Sequence, residues 1–188
     1  MRHALILCLL LISGAALAAP PAKPTAPSQV TSEETLFAQL KKAGSPEDAH
    51  AIEQKLQAMF RASGSPSVDL LIMRMQAAQA ATDKKTAKKL VEAVTAIAPS
   101  YAEGWHMRAE MEQADGDDTA ALVSLQKVVL LNPRHFTALA ELATMLEDYG
   151  DKAGALKLYR RAQDIDPQLE IAGRKVRELT QSVEGRDI

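Results

Sequence analysis

The sequence predicts an all-α fold, an α-solenoid of antiparallel helix pairs stacked side by side. Three observations predict it. Proline recurs at Pro99, Pro133 and Pro167, an interval of 34 residues. Within each interval apolar residues run at helical spacing twice, with a turn signal between the two runs. Alanine and leucine dominate while aromatics are only 4% of the chain, a composition that favours helix.

The start of the chain follows another pattern. "MRH" is basic, Ala4 to Ile12 carries no charge, and Ala16-Leu17-Ala18 offers the small residues that a signal peptidase reads. Residues 1–18 are therefore expected to be a secretory signal peptide cut after Ala18. The apolar run Ala4 to Ala19 is short against the roughly 20 residues of a spanning helix, and Pro20 and Pro21 close it. Left uncleaved, it would be a membrane anchor. The single cysteine, Cys8, lies inside this segment, so the mature chain has no thiol and suits an oxidising compartment. No later apolar run is long enough for a membrane span. Residues 19–31 are proline-rich and poor in bulky apolar side chains, and are expected to form a disordered linker.

Residues 32–66 are expected to form an N-terminal helix pair. Ser32 can cap the first helix, with Leu36, Phe37 and Leu40 as its apolar stripe and Gly44 as its stop. "SPED" (Ser45 to Asp48) opens the second with a cap, a first-turn proline and acids at the positive end of the dipole. Ile52, Leu56, Met59 and Phe60 follow at helical spacing, and Gly64 ends the helix.

Residues 67–169 hold three copies of one plan: 68–101, 102–135 and 136–169. In each, a first helix carries a bulky residue at a fixed place (Leu71, Trp105, Leu139). A turn follows at Thr82-Asp83, Gly116-Asp117 and Gly150-Asp151. Glycine suits a left-handed helix exit, and aspartate caps the next helix. The second helix places Ala87, Ala121 and Ala155 in register, then Val91, Leu125 and Tyr159, then Val94, Val128 and Ala162. The closing proline discourages further helix. Small residues recur late in the first helix at Ala109 and Ala143, with Met75 in their place in the first copy. Arg74 and Arg108 are expected to pack their stems with their heads in water.

This register resembles the tetratricopeptide repeat. Residues 170–188 would supply a C-terminal capping helix and a frayed tail. The capping stripe is Leu169, Val176, Leu179 and Val183, while residues 32–66 would cover the opposite end of the array. The resemblance implies a concave groove lined by first helices. Its positions fall on Asp69, Ile72, Met73, Gln76 and Gln79, then on Glu103, His106, Met107, Glu110 and Gln113, then on Thr137, Ala140, Glu141, Thr144 and Glu147. Arg174 and Lys175 stand at the far rim. Where some family members clamp a C-terminal carboxylate with basic residues, this chain has Met, Gln, Glu and Thr. The groove is expected to be mostly acidic and to take a neutral or basic segment of another protein.

Other classes lack their residues. The net charge of −2, or −3 once Arg2 leaves with the signal, argues against nucleic acid, which favours a basic excess. There is no HExxH, nucleophile elbow, P-loop or dinucleotide glycine pattern. His106 and Glu110, four apart, make only one edge of a metal site and are expected to be a solvated pair. Met59, Met73, Met75, Met107, Met111 and Met145 are expected to fill core. No enzyme activity, cofactor or metal is expected. The chain is similar to small signal-bearing repeat proteins of Gram-negative bacteria, which implies a periplasmic scaffold in envelope assembly. A self-associating structural subunit is the alternative, and the oligomeric state is left open.

Overall fold

The computed structural model describes the backbone of residues 27–185 and the side chains of residues 32–185. The expected signal peptide, the linker as far as residue 26 and the last three residues of the tail lie outside the described residues. The described residues form nine helices and no strand: α1 (Pro27–Leu40), α2 (Pro46–Arg61), α3 (Pro66–Ala80), α4 (Lys84–Ile97), α5 (Ala102–Ala114), α6 (Asp118–Leu131), α7 (Phe136–Asp148), α8 (Lys152–Ile165) and α9 (Glu170–Val183). None of them is long and apolar enough to cross a membrane.

The helix pairs α3–α4, α5–α6 and α7–α8 are the three repeats, and the 34-residue register holds down to single hydrogen bonds. In the turn inside each pair, Asp83, Asp117 and Asp151 donate their N–H to Ala78, Glu112 and Leu146, five residues back. The residue before each aspartate takes positive φ: Thr82 (58°), Gly116 (76°) and Gly150 (87°). Each aspartate then caps the second helix, accepting from the N–H of Thr86, Ala120 and Gly154. Between pairs, Tyr101, His135 and Leu169 donate to the carbonyls of Ala98, Asn132 and Asp166. The three prolines lie inside these equivalent turns.

Ala87, Ala121 and Ala155 are at most 1% exposed. They lie inside the repeat cores, where interiors packed at crystal-like density leave little room for a larger side chain. The next two registers, Val91, Leu125, Tyr159 and Val94, Val128, Ala162, are buried to the same degree. Met75, Ala109 and Ala143 are also buried. The Arg108 guanidinium, and not its stem, lies over the Trp105 ring at 5.4 Å, and its Nε donates to Glu112 at 2.7 Å. On the capping helix Leu179 is buried, Leu169 and Val176 are partly buried, and Ala172 and Gly173 pack inward. Val183, the last residue of α9, is exposed.

Two expectations for the N-terminal region are corrected. First, α1 starts at Pro27, five residues before Ser32, so residues 27–31 belong to a helix. Proline fits the first helical position, where its missing N–H has no partner to lose. Second, the α1–α2 pair does not cover the end of the array. It lies along one edge, across the turns between successive repeats. Phe37, Leu40, Ala49 and Leu56 form a core with Phe136, joined by Ile165 and Leu169. Tyr101 donates its hydroxyl to the Arg61 carbonyl at 2.8 Å, and Gln168 donates to the Ala43 carbonyl at 3.1 Å. Arg134 pairs with Glu33 and Glu34, and its guanidinium sits 4.1 Å from the Phe37 ring centre. Turns that recur every 34 residues present a repeated apolar row, which one helix pair can bridge. The outer face of α3 is left open, with Leu70 at 45% and Met73 at 63% exposure. Met73 is thus no core residue, whereas Met75 and Met145 are.

Candidate groove and its buried ion cluster

First helices α5 and α7 line a groove. Helical spacing sets which of their side chains point into it. Gln76, Gln79, Glu110, Gln113, Asp69 and Arg174 are exposed, and Thr137, Glu141, Thr144 and Glu147 are partly buried. Ile72 and Ala140 are not groove-lining. Both are buried in repeat cores, because they fall on the α3 and α7 faces turned toward their partner helices. Glu103 and His106 are buried as well, at 7% exposure each. The expected solvated pair of His106 with Glu110 does not form.

His106 instead lies between two other carboxylates. Its Nε2 is 2.8 Å from Oε2 of Glu141, and its Nδ1 is 3.6 Å from Oε2 of Glu103. The same Glu103 oxygen is 3.1 Å from Nε2 of His135. His135 caps α7, its Nδ1 accepting the Ala138 N–H at 3.2 Å. That fixes the tautomer: Nδ1 is the acceptor, so Nε2 carries the proton and donates to Glu103. Arg61, from the end of α2, places Nε 3.7 Å from the other Glu103 oxygen. Burial opposes ionisation of Glu103, but the hydrogen bonds of His106 and His135 outweigh it and hold its pKa at about 2. Burial likewise opposes charge on His106, yet the bonds to Glu103 and Glu141, and their charge, raise its pKa to about 10. The cluster is therefore an imidazolium held between two carboxylates.

A cavity of about 140 Å³ opens beside this cluster. It is lined by Gln57, Phe60 and Arg61 of α2, Glu103, His106 and Glu110 of α5, and His135, Thr137 and Glu141 at the start of α7. Glu141 also borders a wider hollow of about 560 Å³ with Gln113, Asp118, Thr144, Met145, Asp148 and Tyr149. The groove thus runs from a narrow polar end, walled by α2, to an open end between the α5–α6 turn and α7. Its acidity is smaller than the count of acids implies. Glu147 is paired with Lys175 at 2.8 Å, Glu141 with His106, and Glu103 with Arg61 and His106, besides accepting from Nε2 of His135. Asp69 accepts the Ser63 hydroxyl. Glu110, which lines the narrow hollow, has no hydrogen bond or ion pair. Desolvation raises its pKa. His106 pulls it down, and the charges of Glu141 and Glu103 push it up.

Sequence reasoning missed Gln57, Phe60, Arg61 and His135. The first three depend on where α2 packs. His135 follows Pro133 in a turn, and only its place as the residue before a helix hinted at a capping role.

No family model matches the chain. A TPR repeat-containing protein of Rhizobium etli is 31% identical over 153 residues, covering 80% of this chain and 74% of that protein. The chain belongs to the tetratricopeptide repeat proteins. Solved repeat structures share its fold at lower identity. MamA superimposes with a TM-score of 0.56 at 17% identity, over 76% of this tetratricopeptide repeat chain and 81% of MamA. The first TPR of Spaghetti, bound to an HSP90 peptide, gives 0.55 at 15% identity, over 62% of this chain and 93% of that one. The Yersinia enterocolitica secretion chaperone SycD, in complex with a peptide of the translocator YopD, gives 0.54 at 15% identity, over 64% and 94%. Stacked repeats of this kind present extended concave surfaces for binding, and the tetratricopeptide groove here has the open, polar character described above.

Proposed function

We propose that this tetratricopeptide repeat protein is a non-enzymatic scaffold that takes a segment of another polypeptide along its concave groove. The observation that carries this reading is Glu110, a carboxylate without an ion-pair partner that lines the narrow hollow together with Glu141. A lysine or arginine side chain of a neutral or basic partner segment would supply the missing charge. Two neighbours of the same fold, solved with bound peptides, support the reading. The signal pattern of residues 1–18 supports export to the periplasm and a role among envelope proteins.

The test is in-cell crosslinking of a tagged chain followed by mass spectrometry. Glu110→Lys should lose the partner adducts that the parent yields, while Lys89→Glu, on the exposed side of α4, should keep them. Equal adducts from Glu110→Lys and the parent would overturn the reading. A second reading is favoured by the exposed Leu70 and Met73: the open α3 face stacks on another copy, making a structural subunit. Sedimentation velocity separates the two. A mass that stays monomeric from micromolar to near-millimolar concentration removes the second.

A further inference from the structure

Glu103, His106 and His135 each offer one ligand atom, and the three atoms lie within 4.8 Å of one another. Oε2 of Glu103 is 3.6 Å from Nδ1 of His106 and 3.1 Å from Nε2 of His135. Zinc bonds of about 2.0–2.2 Å at tetrahedral angles place neighbouring ligand atoms about 3.4 Å apart. Two edges of such a tetrahedron are therefore already near length. We propose that Glu103, His106 and His135 form a site for one divalent transition-metal cation of the zinc class, with a fourth coordination position open to the groove.

The donor set selects the metal class. Two imidazoles and one carboxylate suit zinc, cobalt or nickel, whereas magnesium and calcium favour oxygen donors throughout. The surroundings match a metal-binding histidine. Glu141 accepts from Nε2 of His106 at 2.8 Å, which orients the ring and leaves Nδ1 for the metal. Glu103 and His106 are one turn apart on α5, and His135 caps α7, so the ion would tie α5 to the start of α7. Water, or a donor side chain of a partner, would take the fourth position. The two carboxylates that favour a positive imidazole favour a divalent cation by the same attraction.

His106, with a carboxylate facing each ring nitrogen, gives up its Nδ1 proton to solvent and keeps its Nε2 proton on Glu141. His135 moves its proton from Nε2 to Nδ1 and binds through Nε2, losing the long 3.2 Å bond from the Ala138 N–H. One metal ion thus enters as about one proton leaves, and affinity falls with falling pH.

The experiment is titration of the chelator-treated chain with Zn²⁺ by calorimetry in two buffers of different ionisation enthalpy, and with Co²⁺ by visible absorption. The expected result is one ion per chain, release of about one proton, and the intense visible bands of four-coordinate cobalt. Glu103→Gln and His135→Asn should each weaken binding at least about tenfold. Asparagine can still cap α7, and unchanged far-ultraviolet dichroism of both variants verifies the fold. His50→Gln, at the exposed i, i+3 pair with Glu53, should bind as the parent does. Absence of stoichiometric binding, equal binding by Glu103→Gln and His135→Asn, or loss of binding in His50→Gln would overturn the proposal and leave a purely hydrogen-bonded cluster.

Discussion

Asp166 and Asn132 occupy the same place in successive repeats and do the same local task. The side-chain oxygen of each accepts the N–H two residues on, from Gln168 at 3.0 Å and from Arg134 at 3.1 Å. The second oxygen of Asp166 is buried without a hydrogen-bond partner. Burial, then the neighbouring carboxyl of Glu53 on α2, raises the Asp166 pKa to about 7. An aspartate in the unfolded chain ionises near 3.9. Between those values the folded form binds the extra proton, so this group's effect on stability is a loss that sets in above about pH 4 and is complete above about pH 7. Asp166→Asn keeps the turn bond and removes the charge. It should stabilise the protein by about 1–3 kcal/mol at pH 8, with the gain vanishing toward pH 4. Thermal unfolding across that range measures it. Thr82 is a second point of strain, since it takes the left-handed conformation that glycine takes in the other two repeats. Thr82→Gly should raise stability by about 1 kcal/mol, the relief of strain exceeding glycine's added freedom in the unfolded chain. An unchanged midpoint in thermal denaturation would show that the Thr82 turn carries no such strain.

At the scale of elements, each repeat helix was legible because several signals coincided: proline, turn residue, capping aspartate and the buried alanine row. Ala155→Leu should cost about 1–3 kcal/mol through overpacking between α7 and α8, seen as a lower unfolding midpoint. The α1–α2 pair was legible as two helices but not in its place. An apolar stripe such as Ile52, Leu56 and Phe60 shows that a helix packs, not against what. The array end and the row of inter-repeat turns are both apolar, and sequence does not rank them. Phe60 marks the outcome, with ring centres 4.9 Å from His135 and 6.3 Å from Phe136. Phe60→Ala should cost about 2 kcal/mol and speed amide exchange in α1 and α2 while α5 to α8 stay protected. Uniform exchange throughout would mean that the pair and the array unfold as one unit.

For the whole molecule, the position of α2 decides what the groove is. A pair placed at the array end would leave the concave face an open channel lined by acids. Lying along the edge, α2 instead walls one end with Gln57, Phe60 and Arg61, and Arg61 shares in neutralising Glu103. Of the expected groove residues, Glu103, His106, Glu110, Thr137 and Glu141 line the narrow hollow and Gln113, Glu141 and Thr144 the wider one, while Ile72 and Ala140 turn into the core. The buried ion cluster was not legible, since Glu103, His106 and His135 meet only after α5 and α7 stack. Polypeptide binding is expected on the concave face. Site-specific photocrosslinking tests it most directly, with the reactive group at Gln113 in the groove or at Gln126 on the exposed side of α6. Polypeptide adducts are expected from position 113, lost on adding Glu110→Lys, and none from position 126. Adducts from position 126 alone, or from both positions regardless of Glu110, would contradict binding on that face.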